Sequence, residues 1–567
     1  MSAYPERLLP SMEEHRIDPP TMTVVGYLFD LATEGAGVEQ IPDPVWLACA
    51  RAISAHKEGH ALLDLSSSPE VVDLLRGFPK LIACRPNAGE ADGVGRPFVL
   101  EDSALYVTRA LHEEQAIADA VRLAVSEDRL HILLGGPGAG KTTEVARRLV
   151  ARLSKDGADA SKIALAAPTG KAADRMRKAI ESALERGNES GPYPVDVAQK
   201  VRSIVPVTLH RLLGYSEHRR EGRYKFGPTE RLPFDMIIVD ETSMMSMSMM
   251  YRLLGALRPD AKDQPGTELL LVGDPDQLVS VEAGSVLGDL RRVGVEGGLL
   301  AHPVTDFLRG QHRFDEKSDL GRFIGLVRGD EEGEVDVESA LGLLEKYRRA
   351  DPSTATISFI DPTVDEEAFS KLAGLVRDHA LSVVEVAAAG DARTALDRLS
   401  TMQVLCATHR GRSGVTTWNR TVNTWIGPSA RSTWFAGRPV LVTTNDYSNR
   451  VYNGDVGVVV RRPNGDLEVA FPDVGDPRLL ATVRLPDVVT VHALTIHKSQ
   501  GSEYDHVIVV LPKGESRLLT RELLYTAASR ARLRLTVVAS PETVRSAMTT
   551  KVRRSTKLAD RLSSSST

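Results

Sequence analysis

The chain has 567 residues, of which 42% are hydrophobic and 26% charged, and its 70 basic and 76 acidic side chains give a net charge of −6. This composition excludes collagen-like, low-complexity and disulfide-scaffold proteins, and the charge excludes a uniformly basic protein that coats DNA. The length predicts three or four domains.

The sequence contains neither a run of eighteen apolar residues nor an apolar signal core near residue 1. We therefore expect a cytoplasmic protein, or one that enters another compartment by a route that the sequence does not show. Cys49, Cys84 and Cys406 lie far apart and without CxxC spacing. This spacing favours buried free thiols over a disulfide framework or a metal cluster.

The first α/β pattern follows a region without a catalytic signature. Residues 1–108 mix short apolar stretches with proline and glycine, and a helical pattern begins at 111–126. Short apolar runs then alternate with helical segments, which is typical of an α/β fold with a parallel sheet. These runs lie at 131–134, 162–167, 236–240 and 268–274. The polar, turn-rich interval at about 215–234 predicts a small surface insertion.

A second α/β pattern follows an acidic stretch, 330–338, which we interpret as a solvated linker before a helix. Its predicted strands lie at 404–408, 506–511 and 533–539. Between them, residues 437–490 are rich in valine and contain two Asn-Gly pairs, which favour β-hairpin turns and predict a small β-barrel insert. The tail from Lys551 is basic and then rich in serine, so we expect disorder there.

A phosphate-binding pattern lies between a predicted strand and a predicted helix. It fits G-x-x-x-x-G-K-[ST], with Gly135, Gly136, Pro137, Gly138, Ala139, Gly140, Lys141 and Thr142, followed by Thr143. The glycines let backbone N–H groups turn inward, and the helix N-terminus adds positive potential. We expect Lys141 to reach the β- and γ-phosphates of ATP, and Thr142 to ligate Mg²⁺.

Two carboxylates and two arginines are candidates for the hydrolytic step. The apolar run 236–239 ends in Asp240, which would hold Mg²⁺ directly or through water, and in Glu241, which would polarise the attacking water. Positive charge against the γ-phosphate could come from Arg313 or Arg530. If both belong to the second α/β unit, the nucleotide lies in a cleft between two domains, and closing the cleft would couple hydrolysis to motion.

The ordered segments resemble superfamily 1 helicases, and within them the RecD branch, the alpha subunits of exodeoxyribonuclease V. The segments are LHEEQ with Gln115, GGPGAGKTT (135–143), LAAPTGKAADRM (165–176), VTLHRLLG (207–214), IIVDETSMM (237–245), LLLVGDPDQLVSVEAGSVLGDL (269–290), LRGQHRF (308–314), HRGRSGVTTWN (409–419), GRPVLVTTNDYSNRVYNGDVG (437–457), ALTIHKSQGSEYD (493–505) and ELLYTAASRAR (522–532). The resemblance covers about residues 100–545. Ala139 and Ser529 replace threonines that are frequent in the family.

The resemblance implies a domain plan. It consists of two RecA-like motor domains (109–310 and 311–545) with an SH3-like insert at about 437–490. Outside them, from composition, we expect an N-terminal partner-docking domain (1–108), since its apolar segments lack a nucleic-acid signature, and a basic tail (546–567). The resemblance also implies that Gln115 reads the adenine edge, Gln277 senses the γ-phosphate and Glu503 contacts the ribose.

The resemblance further implies an ATP-dependent 5′-to-3′ DNA helicase in double-strand break repair and recombination, assembled with RecB-like and RecC-like subunits. One grip on single-stranded DNA would use Thr169 and Lys171, and another would use Thr495, His497 and Lys498. The two grips would step relative to each other as the ATP cleft opens and closes.

Three other interpretations stay open. A non-catalytic structural subunit is disfavoured by the intact set of candidate catalytic residues. A stand-alone 5′-to-3′ helicase often carries helix–hairpin–helix motifs before the motor, and residues 1–100 show none. A nuclease site at Asp315–Glu316–Lys317 has a superficial carboxylate–lysine pattern, but we expect any nuclease activity on a partner subunit.

Overall fold

Four β-sheets organise the described part of the chain. The computed structural model describes residues 6–33, 41–85, 96–187, 191–216, 223–261, 265–295, 298–308, 318–330, 334–446, 448–473, 475–485, 487–514 and 516–563. Two of the sheets are wholly parallel, which confirms the predicted α/β class. Within these residues no helix is both long and apolar enough to cross a membrane.

The N-terminal region combines four helices with a four-stranded sheet of order β1-β4-β3-β2. Its elements are α1 (Leu9–Glu14), α2 (Pro19–Thr33), α3 (Asp43–Lys57), β1 (Leu62–Asp64), α4 (Pro69–Arg76), β2 (Ile82–Arg85), β3 (Phe98–Glu101) and β4 (Ala104–Val107). Trp46 of α3 packs edge-on against Phe29 of α2, with ring centroids 4.5 Å apart. The other face of the sheet, including Tyr106, shares a core with the elements that follow.

The first unit is a six-stranded parallel sheet of order β10-β5-β9-β8-β6-β7 with helices on both faces. Its elements are α5 (Thr108–Ser126), β5 (Leu130–Leu134), α6 (Lys141–Leu153), β6 (Ile163–Ala167), α7 (Gly170–Arg186), α8 (Val195–Ser203), β7 (Val207–Thr208), α9 (Leu209–Leu212), β8 (Met236–Val239), α10 (Met247–Ala256), β9 (Glu268–Gly273), α11 (Val286–Val295) and β10 (Thr305–Phe307). Because its central strands are buried on both faces, they read as continuous apolar runs. In the described part of the predicted insertion, 223–234, the chain forms neither helix nor strand.

The second unit is a five-stranded parallel sheet of order β11-β20-β19-β12-β18. An antiparallel sheet of order β16-β15-β14-β13-β17 is inserted between β12 and β18 and has its own apolar core. The elements are α12 (Asp319–Arg328), α13 (Val337–Lys346), β11 (Ile357–Ile360), α14 (Glu366–Ala388), α15 (Ala392–Thr401), β12 (Met402–Cys406), α16 (Val415–Ile426), β13 (Pro439–Val442), β14 (Val456–Arg461), β15 (Leu467–Phe471), β16 (Arg478–Ala481), β17 (Val488–Thr490), β18 (Ala493–Thr495), β19 (Tyr504–Val510), α17 (Arg521–Ala528), β20 (Ala531–Val538), α18 (Pro541–Thr549) and α19 (Leu558–Ser563).

Local chemistry accounts for several details of these elements. The Asn464–Gly465 pair joins β14 to β15, and Gly465 has a φ of 90°, a left-handed conformation that glycine adopts without steric penalty. All three cysteines are free, as expected, but Cys84 is exposed whereas Cys49 and Cys406 are buried.

The expectation of a disordered tail over 546–567 is wrong for its described part. α18 extends to Thr549, and α19 buries Leu558 and Leu562 in the core of the first unit. Arg561 forms ion pairs with Glu101 and Glu114, so its charge is compensated inside the fold. The basic composition of the tail suggested disorder. The sequence does not show that Arg561 pairs with buried carboxylates, because these carboxylates lie far away in the chain. Residues 564–567 lie outside the described residues.

Candidate active site

The phosphate-binding loop lies at the carboxyl end of β5. Gly138 and Gly140 have φ values of 75° and 83°, so this turn requires glycine. α6 begins directly after it, and Lys141 Nζ donates to the carbonyl oxygens of Gly135 (2.5 Å) and Gly136 (2.9 Å). The loop and the first turn of α6 also contain Pro137, Ala139, Thr142 and Thr143. The predicted loop thus has the strand–turn–helix setting that phosphate binding needs.

The predicted carboxylate pair follows β8 at the same edge of the sheet. Glu241 has a φ of 54°, an uncommon conformation for a residue other than glycine, and its N–H donates to Asp240 Oδ1 at 2.8 Å. Thr242 Oγ1 donates to the carbonyl oxygen of Val272 on β9 at 2.8 Å, which anchors this turn. Burial and the neighbouring Glu241 raise the pKa of Asp240 to about 6, although Lys141 opposes the shift.

Gln277 and Arg530 meet across the two units. Arg530, only 2% exposed, donates from Nη2 to Gln277 Oε1 at 2.7 Å. Gln277 Nε2 donates to Asp274 Oδ2 at 2.7 Å, and the hydroxyl of Tyr525 donates to the same oxygen at 3.2 Å. Burial raises the pKa of Asp274 and lowers that of Arg530. The loop after β9 is therefore joined to α17 and its C-terminal flank by a buried polar chain.

A second set of contacts joins the same loop to the second unit. Asp276 forms ion pairs with Arg291 of α11 and with Arg328 of α12. The N–H of Leu278 donates to Thr526 Oγ1 at 3.0 Å. The sequence analysis did not predict a role for Asp276 or Arg328, because no sequence pattern indicates that these two residues form an ion pair.

Arg175 is another residue that the sequence analysis missed. It lies on α7, and its guanidinium contacts Glu241 Oε1 at 3.5 Å and forms an ion pair with Glu503 of the second unit. Burial lowers the pKa of Arg175, but the carboxylates of Glu503, Glu241 and Asp240 outweigh it, and the net shift is upward. Its position one turn after Lys171 on α7 was the available signal.

The two residues of the first expected DNA grip lie at the start of α7. Thr169 is the N-cap, and its hydroxyl accepts from the N–H three residues later at 3.2 Å. Burial lowers the pKa of Lys171 to about 8, although Asp455 of the insert opposes the shift. A Cβ built on Gly170 would lie 2.7 Å from the Cβ of Tyr452, so the insert touches this helix start closely.

The second expected grip follows β18, at the carboxyl edge of the second sheet. Thr495 Oγ1 accepts from the N–H of Lys498 at 3.3 Å. The Lys498 side chain is exposed, whereas His497 is half-buried and burial lowers its pKa. These residues form one local turn.

The remaining candidates are Arg313, the Asp315–Lys317 segment and Gln115. Arg313 and the Asp315–Lys317 segment lie outside the described residues. Gln115 is half-buried on α5, the helix that leads into β5 and the phosphate-binding loop.

The chain is similar to several proteins of known family. Residues 118–283 match the family model for an AAA domain, and residues 490–538 match that for a UvrD-like helicase C-terminal domain. RecBCD enzyme subunit RecD of Mycolicibacterium smegmatis is 39% identical over 96% of this chain and 97% of its own length. The protein of the same name from Mycobacterium tuberculosis H37Rv is 42% identical over 92% of this chain and 91% of its own.

More distant similarities include a helicase and solved structures. ATP-dependent RecD2 DNA helicase of Deinococcus radiodurans is 29% identical over 82% of this chain and 54% of its own length. The Pif1 helicase structure from Candida albicans covers 78% of this chain and 97% of that chain at 15% identity, with a TM-score of 0.38. Bacteroides Pif1 bound to ssDNA covers 76% and 93% at 17% identity, with a TM-score of 0.37.

Proposed function

The chain belongs to the RecD family, and from this premise we propose that it is an ATP-dependent 5′-to-3′ DNA helicase subunit of a RecBCD-type complex. It hydrolyses ATP in the cleft between the two parallel-sheet units and moves along single-stranded DNA. In this role it unwinds duplex ends during double-strand break repair and recombination. The nuclease activity of the complex belongs to a partner subunit.

One observation carries the catalytic part of the proposal: the first unit supplies Lys141 and Glu241, and Arg530 of the second unit meets Gln277 beside them. Lys141 neutralises the phosphates, Glu241 orients the attacking water, and Arg530 with Gln277 responds to the γ-phosphate. Because the second unit completes the site, hydrolysis and product release change the contact between the units.

The other predicted contacts complete the nucleotide site. The N–H groups of the loop 135–140 and of the first turn of α6, which includes Thr143, cradle the phosphates. Gln115 reads the adenine, Glu503 contacts the ribose, and Arg313 adds a second cation from the other unit.

The donor set at the loop fits Mg²⁺. Thr142 offers a hydroxyl oxygen, and Asp240 offers a carboxylate whose positive neighbours do not fully compensate its charge. These two oxygen donors suit a hard cation such as Mg²⁺, which keeps waters and substrate phosphates as its remaining ligands. Among the described residues no group of three or more His, Cys, Asp and Glu side chains could hold a metal by itself. We therefore place Mg²⁺ with the nucleotide, where it would offset phosphate charge, and not in a separate protein cage.

We place the DNA across the carboxyl edges of the two parallel sheets. Thr169 and Lys171 form one grip, and Thr495, His497 and Lys498 form the other. A further basic surface supports this path: an open depression of about 550 Å³ is lined by Arg410, Arg412 and Arg420. Within the described residues none of these three arginines forms an ion pair with a carboxylate, so they are free to contact phosphates.

The remaining parts of the predicted plan are assigned as follows. The inserted antiparallel sheet is the SH3-like insert of the second RecA-like motor, and its loop at 452–455 closes on α7 beside the DNA path. The N-terminal region docks on RecB-like and RecC-like subunits through α2, where Tyr27 (63% exposed) and Leu31 (60%) share one apolar face with Val24. A stand-alone helicase would not need this face.

Unwinding by the full-length chain tests the proposal. With ATP and Mg²⁺, the wild type should separate a duplex that carries a 5′ single-stranded tail, and single-stranded DNA should stimulate its ATPase. Lys141→Ala should abolish both activities because phosphate neutralisation is lost. Lys178→Ala removes a surface lysine of α7 that pairs with Asp174 and should change neither. Unwinding from a 3′ tail alone would refute the polarity, and hydrolysis by Lys141→Ala would refute the site.

A further inference from the structure

A second-unit arginine outside the predicted catalytic set lies directly over the phosphate-binding loop. A Cβ built on Gly136 would lie 3.6 Å from Nη1 of Arg328 and 3.3 Å from the hydroxyl of Tyr525. The Gly136 carbonyl also accepts from Lys141, so Arg328 and Lys141 approach the same segment from opposite units. The side chain of Arg328 is 33% exposed, which leaves it accessible from the cleft.

The position of this guanidinium is set by contacts on both sides of the cleft. Arg328 is the last residue of α12, where the helix dipole favours a cation, and α12 packs against α17, which carries Tyr525. Nε donates to Asp276 Oδ2 at 2.7 Å. Asp276 is itself held by Arg291 of the first unit.

The hydrogen-bonding arrangement leaves the other end of Arg328 available. With Nε directed to Asp276, neither Nη nitrogen has an acceptor among the described residues. The planar fork of arginine suits two oxygens of one phosphate group, and a cation supplied from an opposing domain stabilises the charge that spreads over the transferred phosphoryl group.

We propose that Arg328 is a further catalytic residue, which donates from its Nη groups to the terminal phosphate of the nucleotide while Asp276 holds the guanidinium in place. This inference rests on the proposed ATP hydrolysis. Arg328 would be a third cation at the phosphates, beside Arg530 and Arg313. Its contact with Asp276 would also align the second unit on the nucleotide.

The test compares substitutions on one helix of the full-length chain. R328Q removes the charge, and R328K keeps it without the fork. R322Q is the matched control because Arg322 is exposed on α12 and, within the described residues, forms its one ion pair with Asp319 of the same helix. We would measure kcat and KM for ATP with saturating single-stranded DNA, and the affinities for ADP and for ADP with aluminium fluoride, which mimics the transition state.

R328Q should lower kcat about 100-fold and weaken the aluminium fluoride complex by a similar factor, while affinity for ADP stays within about threefold. R328K should fall between R328Q and the wild type, and R322Q should match the wild type. A thermal melt establishes that each variant is folded. If R328Q does not fold, R328K must still show selective loss of affinity for the fluoride complex.

The inference is wrong if the folded substitution leaves kcat and the preference for the aluminium fluoride complex over ADP unchanged, because Arg328 would then only bridge the units. It is also wrong if ADP and the fluoride complex weaken equally. Absence of DNA-stimulated hydrolysis in the wild type would instead refute the proposed function.

Discussion

Glu241 combines an unusual backbone conformation with a specific ionic partner. Its left-handed φ is stabilised by the bond from its N–H to Asp240, and its carboxylate faces Arg175. Arg175 also contacts Glu503 of the second unit, so the proposed general base is linked to the far side of the cleft. Movement between the units therefore changes the surroundings of the group that orients water.

Replacing Glu241 by glutamine should separate nucleotide binding from hydrolysis. Glu241→Gln keeps the size of the side chain but cannot accept a proton from water, so ATP affinity should stay near that of the wild type while turnover falls about 100-fold or more. Single-turnover hydrolysis and equilibrium binding of a fluorescent ATP analogue provide the two measurements. Glu282→Gln, on an exposed loop of the same unit, serves as the control. Turnover near that of the wild type would show that another group activates the water.

The sequence predicts those candidate site residues that lie in short, recognisable patterns. The loop that ends at Lys141 and the pair Asp240–Glu241 follow from short patterns at strand ends, and Gln277 with Arg530 followed from family resemblance. Arg328 could not be found in this way, and for Arg175 the spacing from Lys171 was the available signal, since the partners of both arginines depend on how the two units pack. Arg175 and Glu503, for example, are 328 residues apart.

At the level of elements, strands were easier to predict than the tail. β8 and β9 are buried on both faces, so hydrophobicity alone marks them. α19 is short and polar, and its stability depends on tertiary contacts: Leu562 enters the core, and Arg561 reaches Glu114, whose pKa is raised by burial despite that arginine. Composition cannot reveal such long-range pairing.

Arg561→Met should destabilise the protein by about 3 kcal/mol, because it removes the cation that pairs with the fully buried Glu114 and leaves Glu101 with Lys557 at 3.8 Å. Guanidinium chloride unfolding, with ATP absent, measures the change in the free energy of unfolding. Arg553→Met is the matched control, since Arg553 is an exposed arginine of the same tail. Adding Glu114→Gln to Arg561→Met should recover part of the loss. Equal stabilities of Arg561→Met and the control would contradict the role of this ion-pair cluster.

For the molecule as a whole, the N-terminal region is attached to the motor and still exposes an apolar face. Leu62 and Val99 of its sheet lie in the same core as the helices of the first unit, so a deletion of residues 1–100 would remove part of that core and damage the motor as well. Surface substitutions on α2 are therefore a cleaner probe of docking. Val24, Tyr27 and Leu31 recur at helical spacing and point away from the core that Phe29 enters.

Tyr27→Asp combined with Leu31→Asp should release the chain from RecB-like and RecC-like subunits, because docking would bury two charges in an apolar contact. Co-purification should fall at least about tenfold, whereas DNA-stimulated ATPase of the isolated chain should be unchanged. Val483→Asp changes a side chain that is 92% exposed in the 3-10 turn between β16 and β17, and it should leave assembly intact. Full co-purification of the double variant would assign docking to another surface.

α19 lies near the end of the chain but packs on the first unit, so the ribosome completes the rest of that unit long before it makes this helix. Arg561 leaves the ribosome 447 residues after Glu114, which at about 5–20 residues per second is roughly 20–90 s later. Throughout that interval the nascent first unit holds a carboxylate in an apolar setting without its arginine, and the groove for Leu558 and Leu562 stays open to water. A nascent chain that has not yet released α19 therefore lacks the part of the first unit's core that Leu558 and Leu562 supply.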